Sequence, residues 1–346
     1  MITGNTPSIS MNGPVNNNYL KLFENIRPID VLLFILCVFL AHASSSNLFG
    51  FSRDYFEYKY YYDTISGDFY VTDTRFEPGF HVISWIFKNW LGANMSALVF
   101  FLVLTSLGIK FVLFRKYLNQ PLFALLLYLI IFFPIHEYTQ YRVGVSLAFG
   151  YWAVHKILEK KYLLAAALFI ASLSFHYSSI LLPLITLAIT FTGWRLSLIS
   201  IFVIGVIGPA FLNATGIISV DLLQTLNPLS SSYLENKAMI DDVSILSINN
   251  ILLIFSIIGY LIAKIYNRSK YHQVFLIIAI LCFIPIILMP NSPIIAQRSK
   301  EVLFVGVIFL SCRSKFLRKD LMGSIFLLLT GILLLYLNID GGVIFS

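Results

Sequence analysis

The sequence predicts an all-α, polytopic integral membrane protein, and three observations carry that prediction. Hydrophobic residues make up 58% of the 346-residue chain and charged residues only 12%, with a mean hydropathy of +0.83, so there is too little polar surface to cover a soluble globule of this length. The apolar runs are long and lack β-type alternation, and a backbone in lipid must satisfy its own hydrogen bonds, which leaves helices. The loops between these runs are alternately basic and acidic.

Taken in order, residues 1–28 are rich in Asn, Ser and Gly and read as a cytoplasmic tail with a short amphipathic lead-in. The tail is too long and polar for the n-region of a signal peptide, so the first crossing is expected to stay as an anchor. About 11 transmembrane helices follow, at 29–46, 96–114, 121–135, 143–158, 162–175, 179–193, 196–213, 246–264, 272–290, 302–312 and 321–338, within one transmembrane domain over 29–338. Several fall short of the ~20 residues that fill a hydrocarbon core and must borrow from their flanks. Outer loops are expected at 47–95 and 214–245, and a short outer tail at 339–346.

The stretch from Pro78 to Ala93 is apolar but reads as a re-entrant or interfacial helix. With it held out of the count and the amino terminus inside, inner loops carry sixteen of the 24 Lys and Arg, Lys110 among them, and only four of the 17 acids. Letting it cross would turn the later basic clusters outward, against the positive-inside rule. The net charge of +7 therefore reports membrane orientation and not nucleic-acid binding. Cys37, Cys282 and Cys312 lie in apolar spans as small hydrophobes, and no Cys-based metal site is indicated.

Polar residues gather on the outer side. The first loop interleaves Asp54, Glu57, Asp63 and Glu77 with Tyr55, Tyr58, Tyr60, Tyr61 and Tyr62, a mixture suited to sugar rings or to an interfacial aromatic belt. Glu77-Pro78 opens a helix, with His81 one turn on along the same face. The connection His136-Glu137-Tyr138-Thr139-Gln140-Tyr141-Arg142 puts a guanidinium at the head of the next span, either to bind a diphosphate or to pair with Glu137. His176 and Tyr177 follow another span, and a histidine there is either a base or a hydrogen-bonded turn residue. Arg298 and Lys300, in the last outer loop at 290–301, supply further cations, with Glu301 as a competing partner. The span centres read as free of charge, which argues against an ion-coupled transporter.

Four segments carry a family resemblance: Tyr60-Tyr61-Tyr62-Asp63, Glu77-Pro78-Gly79-Phe80, Tyr141-Arg142-Val143-Gly144-Val145-Ser146-Leu147-Ala148 and Leu173-Ser174-Phe175-His176-Tyr177-Ser178-Ser179. Over residues 30–190 the chain resembles the EpsG-like branch of the Wzy-type bacterial polysaccharide polymerases. It departs from the usual pattern at Val143, where relatives often carry Gln after the Arg. The resemblance implies a GT-C-like fold in the bacterial inner membrane, with the site facing outward. It also implies undecaprenyl diphosphate-linked oligosaccharides as donor and acceptor, for O-antigen of lipopolysaccharide, capsule or exopolysaccharide. A chain-length regulator and a flippase are the partners such a protein implies.

In this scheme His176, Glu77 or Asp63 removes the proton from an acceptor hydroxyl attacking the donor's anomeric carbon, with inversion. Arg142, Arg298, Lys300, His81, His136, Tyr141 and Tyr177 are the candidate diphosphate and substrate contacts. The diphosphate is already a good leaving group, so no metal or cofactor is expected. The alternatives are a lipid-linked oligosaccharide flippase or other transporter, a glycan ligase, an O-acyltransferase, or a structural protein.

Overall fold

The computed structural model describes residues 28–52, 54–67, 76–192, 247–265, 269–288, 293–313 and 321–340, all of them helical or irregular with no strand among them. The expected crossing at 196–213, the loop 214–245, the tail before residue 28 and the tail after residue 340 lie outside the described residues. Besides short helical turns at Phe133–His136 and Ile284–Leu288, the helices among these residues are α1 (Pro28–Ser45), α2 (Tyr55–Thr64), α3 (Pro78–Trp85), α4 (Met95–Tyr117), α5 (Pro121–Ile131), α6 (Tyr141–Leu158), α7 (Tyr162–Phe175), α8 (Leu181–Thr192), α9 (Ile248–Ile262), α10 (Lys270–Leu281), α11 (Pro293–Phe304), α12 (Gly306–Arg313) and α13 (Leu321–Asp340).

Among the described residues four helices are long and apolar enough to cross a membrane: Pro28–Ser45, Met95–Tyr117, Lys270–Leu288 and Leu321–Ile339. Shorter apolar helices at Pro121–Ile131, Tyr162–Phe175, Tyr177–Phe191 and Ile248–Ile262 complete a multi-pass bundle. Its axis is α6, in which all but three of eighteen residues are buried, as expected of a helix enclosed on every side. Helix α6 packs on α4, α7 and α8; α5 packs on α12 and α13, and α9 on α13. Small residues permit the closest approaches. A Cβ on Gly144 would come within 2.9 Å of the Glu137 carboxylate, and one on Gly79 within 2.7 Å of the Ser174 carbonyl.

The stretch Pro78 to Ala93 is built as α3 followed by a π-helical turn at Ile86–Trp90. At 1.5 Å per residue these thirteen residues reach only about 20 Å, short of a hydrocarbon core. Both ends are tied to α2. Phe76 packs on Tyr61 at 4.3 Å, and Lys88 donates to the carbonyls of Tyr62, Asp63 and Ile65 at the carboxyl end of α2. Asn94 then caps α4 by accepting from the Ala97 N–H at 3.0 Å.

Two sequence expectations are corrected. The polar stretch after Pro290 is helix from Pro293 onward, with proline in the first turn, so Arg298, Lys300 and Glu301 ride on α11 and not on a loop. Gln, Arg, Lys and Glu are good helix formers, and polarity alone does not mark a loop. The span centres, moreover, are not free of charge. Lys110 lies seven residues from the end of α4, about 10 Å along the helix, and its ammonium is 2.5 Å from the Glu137 carboxylate, both fully buried. The two residues therefore share one level of the bundle, whereas the loop assignment had separated them.

Candidate active site

The first turn of α6 brings Arg142 to the end of the bundle where α3 begins and α7 stops. Its guanidinium pairs with the Glu77 carboxylate through Nη1 and Oε2, and Nε donates to the Tyr58 hydroxyl at 3.3 Å. The Phe76 ring lies below it, 4.8 Å from the guanidinium carbon, and all of these polar groups are buried. The expected alternative partner, Glu137, is unavailable because Lys110, Ser106 and Tyr128 already hold it.

The second oxygen of Glu77 meets His176, with Oε1 2.9 Å from Nδ1. The backbone fixes this imidazole. His176 caps α7 in an extended conformation, donates its N–H to the Ser172 carbonyl at 3.1 Å and accepts at its own carbonyl from the Ser179 and Ser146 hydroxyls. Gly79 makes the meeting possible, because only a residue without Cβ lets the start of α3 rest on Ser174.

The other imidazole nitrogen, Nε2, is buried and has no hydrogen-bond partner among the described residues. Burial lowers the imidazole's proton affinity, the Glu77 hydrogen bond and charge only partly offset it, and His176 stays below its ordinary 6.5. Burial alone would raise the Glu77 carboxyl, but the His176 hydrogen bond and the Arg142 charge outweigh it and hold it below the usual carboxylate range. The ring is thus neutral at neutral pH. With Nδ1–H donating to an ionised Glu77, Nε2 presents a free lone pair, as in a base oriented by a carboxylate.

Arg298 approaches from α11, 4.0 Å from the Asp54 carboxylate, and its charge is felt at both Tyr58 and His176. The other sequence candidates stand apart from this cluster. His81 shares a 2.6 Å hydrogen bond with Tyr61, so the i,i+4 spacing from Glu77 does not join the two side chains. Asp63 is exposed and pairs with Lys59 at 2.8 Å. Tyr141 is buried against Tyr58, ring centroids 5.3 Å apart, and Tyr177 is exposed on the 3₁₀ turn Tyr177–Ile180. His136 is closer: it is fully buried and stacked on Phe132 at 5.3 Å, its carbonyl lies beside Gly144 of α6, and the charges of Lys110 and His176 both act on its ring. Lys300 turns toward α9, where it donates to Asn250 at 2.6 Å.

Tyr58 and Phe76, which the sequence offers only as aromatic residues of the first outer loop, are additions to the site. A signal for Tyr58 was present, since Tyr58, Tyr61 and Tyr62 recur at helical spacing and all three are buried, while Phe56 and Tyr60 face out.

Apolar helices around a buried carboxylate, imidazole and guanidinium define a helical membrane protein with a polar site at one end of its bundle. The model of the EpsG family matches residues 30–340, so the chain belongs to that family and is a polysaccharide polymerase-type membrane protein. The match extends well past residue 190, where the recognisable sequence segments end. No curated protein and no solved structure matches the chain.

Proposed function

We propose that this protein is a Wzy-type polymerase that joins undecaprenyl diphosphate-linked oligosaccharide repeat units on the extracytoplasmic side of the bacterial inner membrane. The observation that carries the reading is the buried, unpartnered Nε2 of His176, held by Glu77 under Arg142. Nε2 takes the proton of an acceptor sugar hydroxyl as that oxygen attacks the donor's anomeric carbon. The bond from that carbon to the diphosphate oxygen breaks, the configuration inverts, and the lipid diphosphate leaves with the electron pair. Glu77 stabilises the imidazolium that forms, and the proton passes from it to the departing phosphate or to water. Arg298 lies on the side where negative charge develops, and Arg142 orients Glu77 while adding to the positive field.

Family membership supports the polymerase class, and the sign of the loop charges supports the outward site. One observation favours an ion-coupled flippase instead: the Lys110–Glu137 pair lies deep in the bundle. A single experiment separates the two. Purified protein in lipid nanodiscs, given a synthetic lipid-linked repeat unit, is expected to yield a ladder of lengthened products. Unlengthened substrate, together with its movement between leaflets in sealed vesicles, would establish the flippase and end the polymerase reading.

A further inference from the structure

Two imidazoles are sealed inside the bundle to much the same degree, and their hydrogen bonding differs. His155, near the carboxyl end of α6, uses both ring nitrogens: Nδ1 lies 2.6 Å from the Tyr151 carbonyl and Nε2 2.7 Å from the Tyr271 hydroxyl. His136 uses neither. It is fully buried, and both Nδ1 and Nε2 lack a hydrogen-bond partner among the described residues. A buried polar group left unpaired weakens a fold. For packing alone a phenylalanine would serve better, since it would stack on Phe132 in the same way and leave nothing unpaired.

The ring is nevertheless held firmly. Its plane lies within 16° of the Phe132 ring, and its backbone N–H donates to the Phe132 carbonyl at 2.7 Å. Glu137, next in the chain, is locked by Lys110, Ser106 and Tyr128, and the Thr139 hydroxyl ties the connection to the Pro134 carbonyl at 2.9 Å. The side chain is thus fixed by the closed pair on which it rests, within electrostatic reach of the proposed base at His176. Burial first, and then the charges of Lys110 and His176, push its proton affinity well below the ordinary 6.5, so the ring is neutral at neutral pH.

A neutral imidazole offers one N–H and one lone pair, and this decides what it can bind. A phosphate oxygen calls for donors, so one of the two nitrogens would stay unpaired beside it. A metal ion needs several ligands, and among the described residues no three His, Cys, Asp or Glu side chains gather to supply them. Sugar hydroxyls both donate and accept, and so satisfy the two nitrogens together.

We infer that His136 is a further substrate-binding residue of the His176 site, one that hydrogen-bonds hydroxyls of the acceptor sugar and so turns the attacking hydroxyl toward His176. The inference rests on the polymerase reading. It also narrows what the sequence offered, because His136 then reads the sugar and leaves the diphosphate to Arg298.

Binding of a synthetic lipid-linked repeat unit to the full chain in nanodiscs tests this in a His176→Ala background, where no turnover is needed. His136→Phe, which fills the same place on Phe132, is expected to melt at or above its parent and to bind the unit about tenfold more weakly or worse, the scale of a lost hydrogen bond. His136→Gln, which keeps a donor and an acceptor, is expected to recover most of that affinity. Repeat units that each lack one hydroxyl of the acceptor sugar identify the contact. One of them is expected to bind about tenfold more weakly when His136 is present and to show no such loss with His136→Phe. Unchanged binding by His136→Phe, equal losses across the deoxy series with and without the imidazole, or a His136→Phe that melts well below its parent would overturn the inference. The expected binding losses without any ladder from wild type would instead leave the contact standing and remove the polymerase reading.

Discussion

Two buried ion pairs grip the first turn of α6 from different sides, and they differ in what they leave open. Lys110 and Glu137 are closed: Ser106, Tyr128 and the Gly144 carbonyl complete the shell, at 2.5 to 2.9 Å. Arg142 and Glu77 are joined across 65 residues of sequence, and their shell ends in an imidazole nitrogen that bonds to nothing among the described residues. A closed pair fixes the fold, whereas an open one holds a reactive group ready. Burial and charge are alike in the two, so neither quantity by itself identifies a site.

The largest effect expected separates these roles directly. Removing either cation alone, by Lys110→Met or Arg142→Met, strands a buried carboxylate and is expected to cost about 3–5 kcal/mol of stability. Replacing both members of a pair by apolar residues of similar volume relieves that cost. Lys110→Met with Glu137→Leu is expected to recover both melting temperature and polymer synthesis. Arg142→Met with Glu77→Leu is expected to recover the melting temperature and leave synthesis at least about a hundredfold down, the scale of a lost general base.

Next in size is Gly79→Ala. The added methyl must push α3 off Ser174, carrying Glu77 away from His176, and a displacement of about 1 Å at a catalytic group can cost about a hundredfold in rate. The melting temperature should fall far less than the activity, and a variant with both unchanged would show that the Glu77–His176 distance does not govern the rate.

A subtler effect lies in the pH profile. In the proposed mechanism neutral His176 is the active form, so the rate is expected to fall on the acid side, with the limb below pH 6.5. Glu77 raises the imidazole's proton affinity and Arg142 lowers it, so Glu77→Gln should move the limb to lower pH and Arg142→Met to higher pH. Stability follows the same sign. A histidine held neutral by burial stabilises the fold fully above its ordinary value, and this contribution is lost as pH drops through the lowered one. Lys110→Met, acting only on the closed pair, should leave the limb where it is.

The smallest effect is expected at Asp63, whose side chain is exposed and pairs with Lys59 on the same helix. Asp63→Asn should give polymer of wild-type length, measured by the same ladder.

The fold class was legible because apolar length and loop charge are averaged over many residues. Arg142, Glu77 and His176 were legible one at a time, as costly polar groups beside apolar spans. Their pairing was not. Sequence proximity offered Glu137 as the partner of Arg142 and His81 as the neighbour of Glu77, yet each carboxylate is claimed by residues more distant in the sequence, Lys110 in one case and Arg142 with His176 in the other. Distant contacts of this kind follow from how α3, α6 and α7 pack, which the local pattern does not encode. Lys110 was misplaced for a related reason: counted with the basic cluster at Arg115 and Lys116, it lies one to two turns deeper, on the buried face of α4. Lys300 and Glu301 were hidden by a polar run that reads as loop and folds as helix.

The most direct measurement is the product ladder made by His176→Ala in nanodiscs, at protein levels and melting temperature matched to wild type. The expected result is lipid-linked repeat units bound but not joined, at every pH tested. A ladder of wild-type length and rate from that variant would contradict a base at His176 and return the Glu77–Arg142 cluster to a purely structural role.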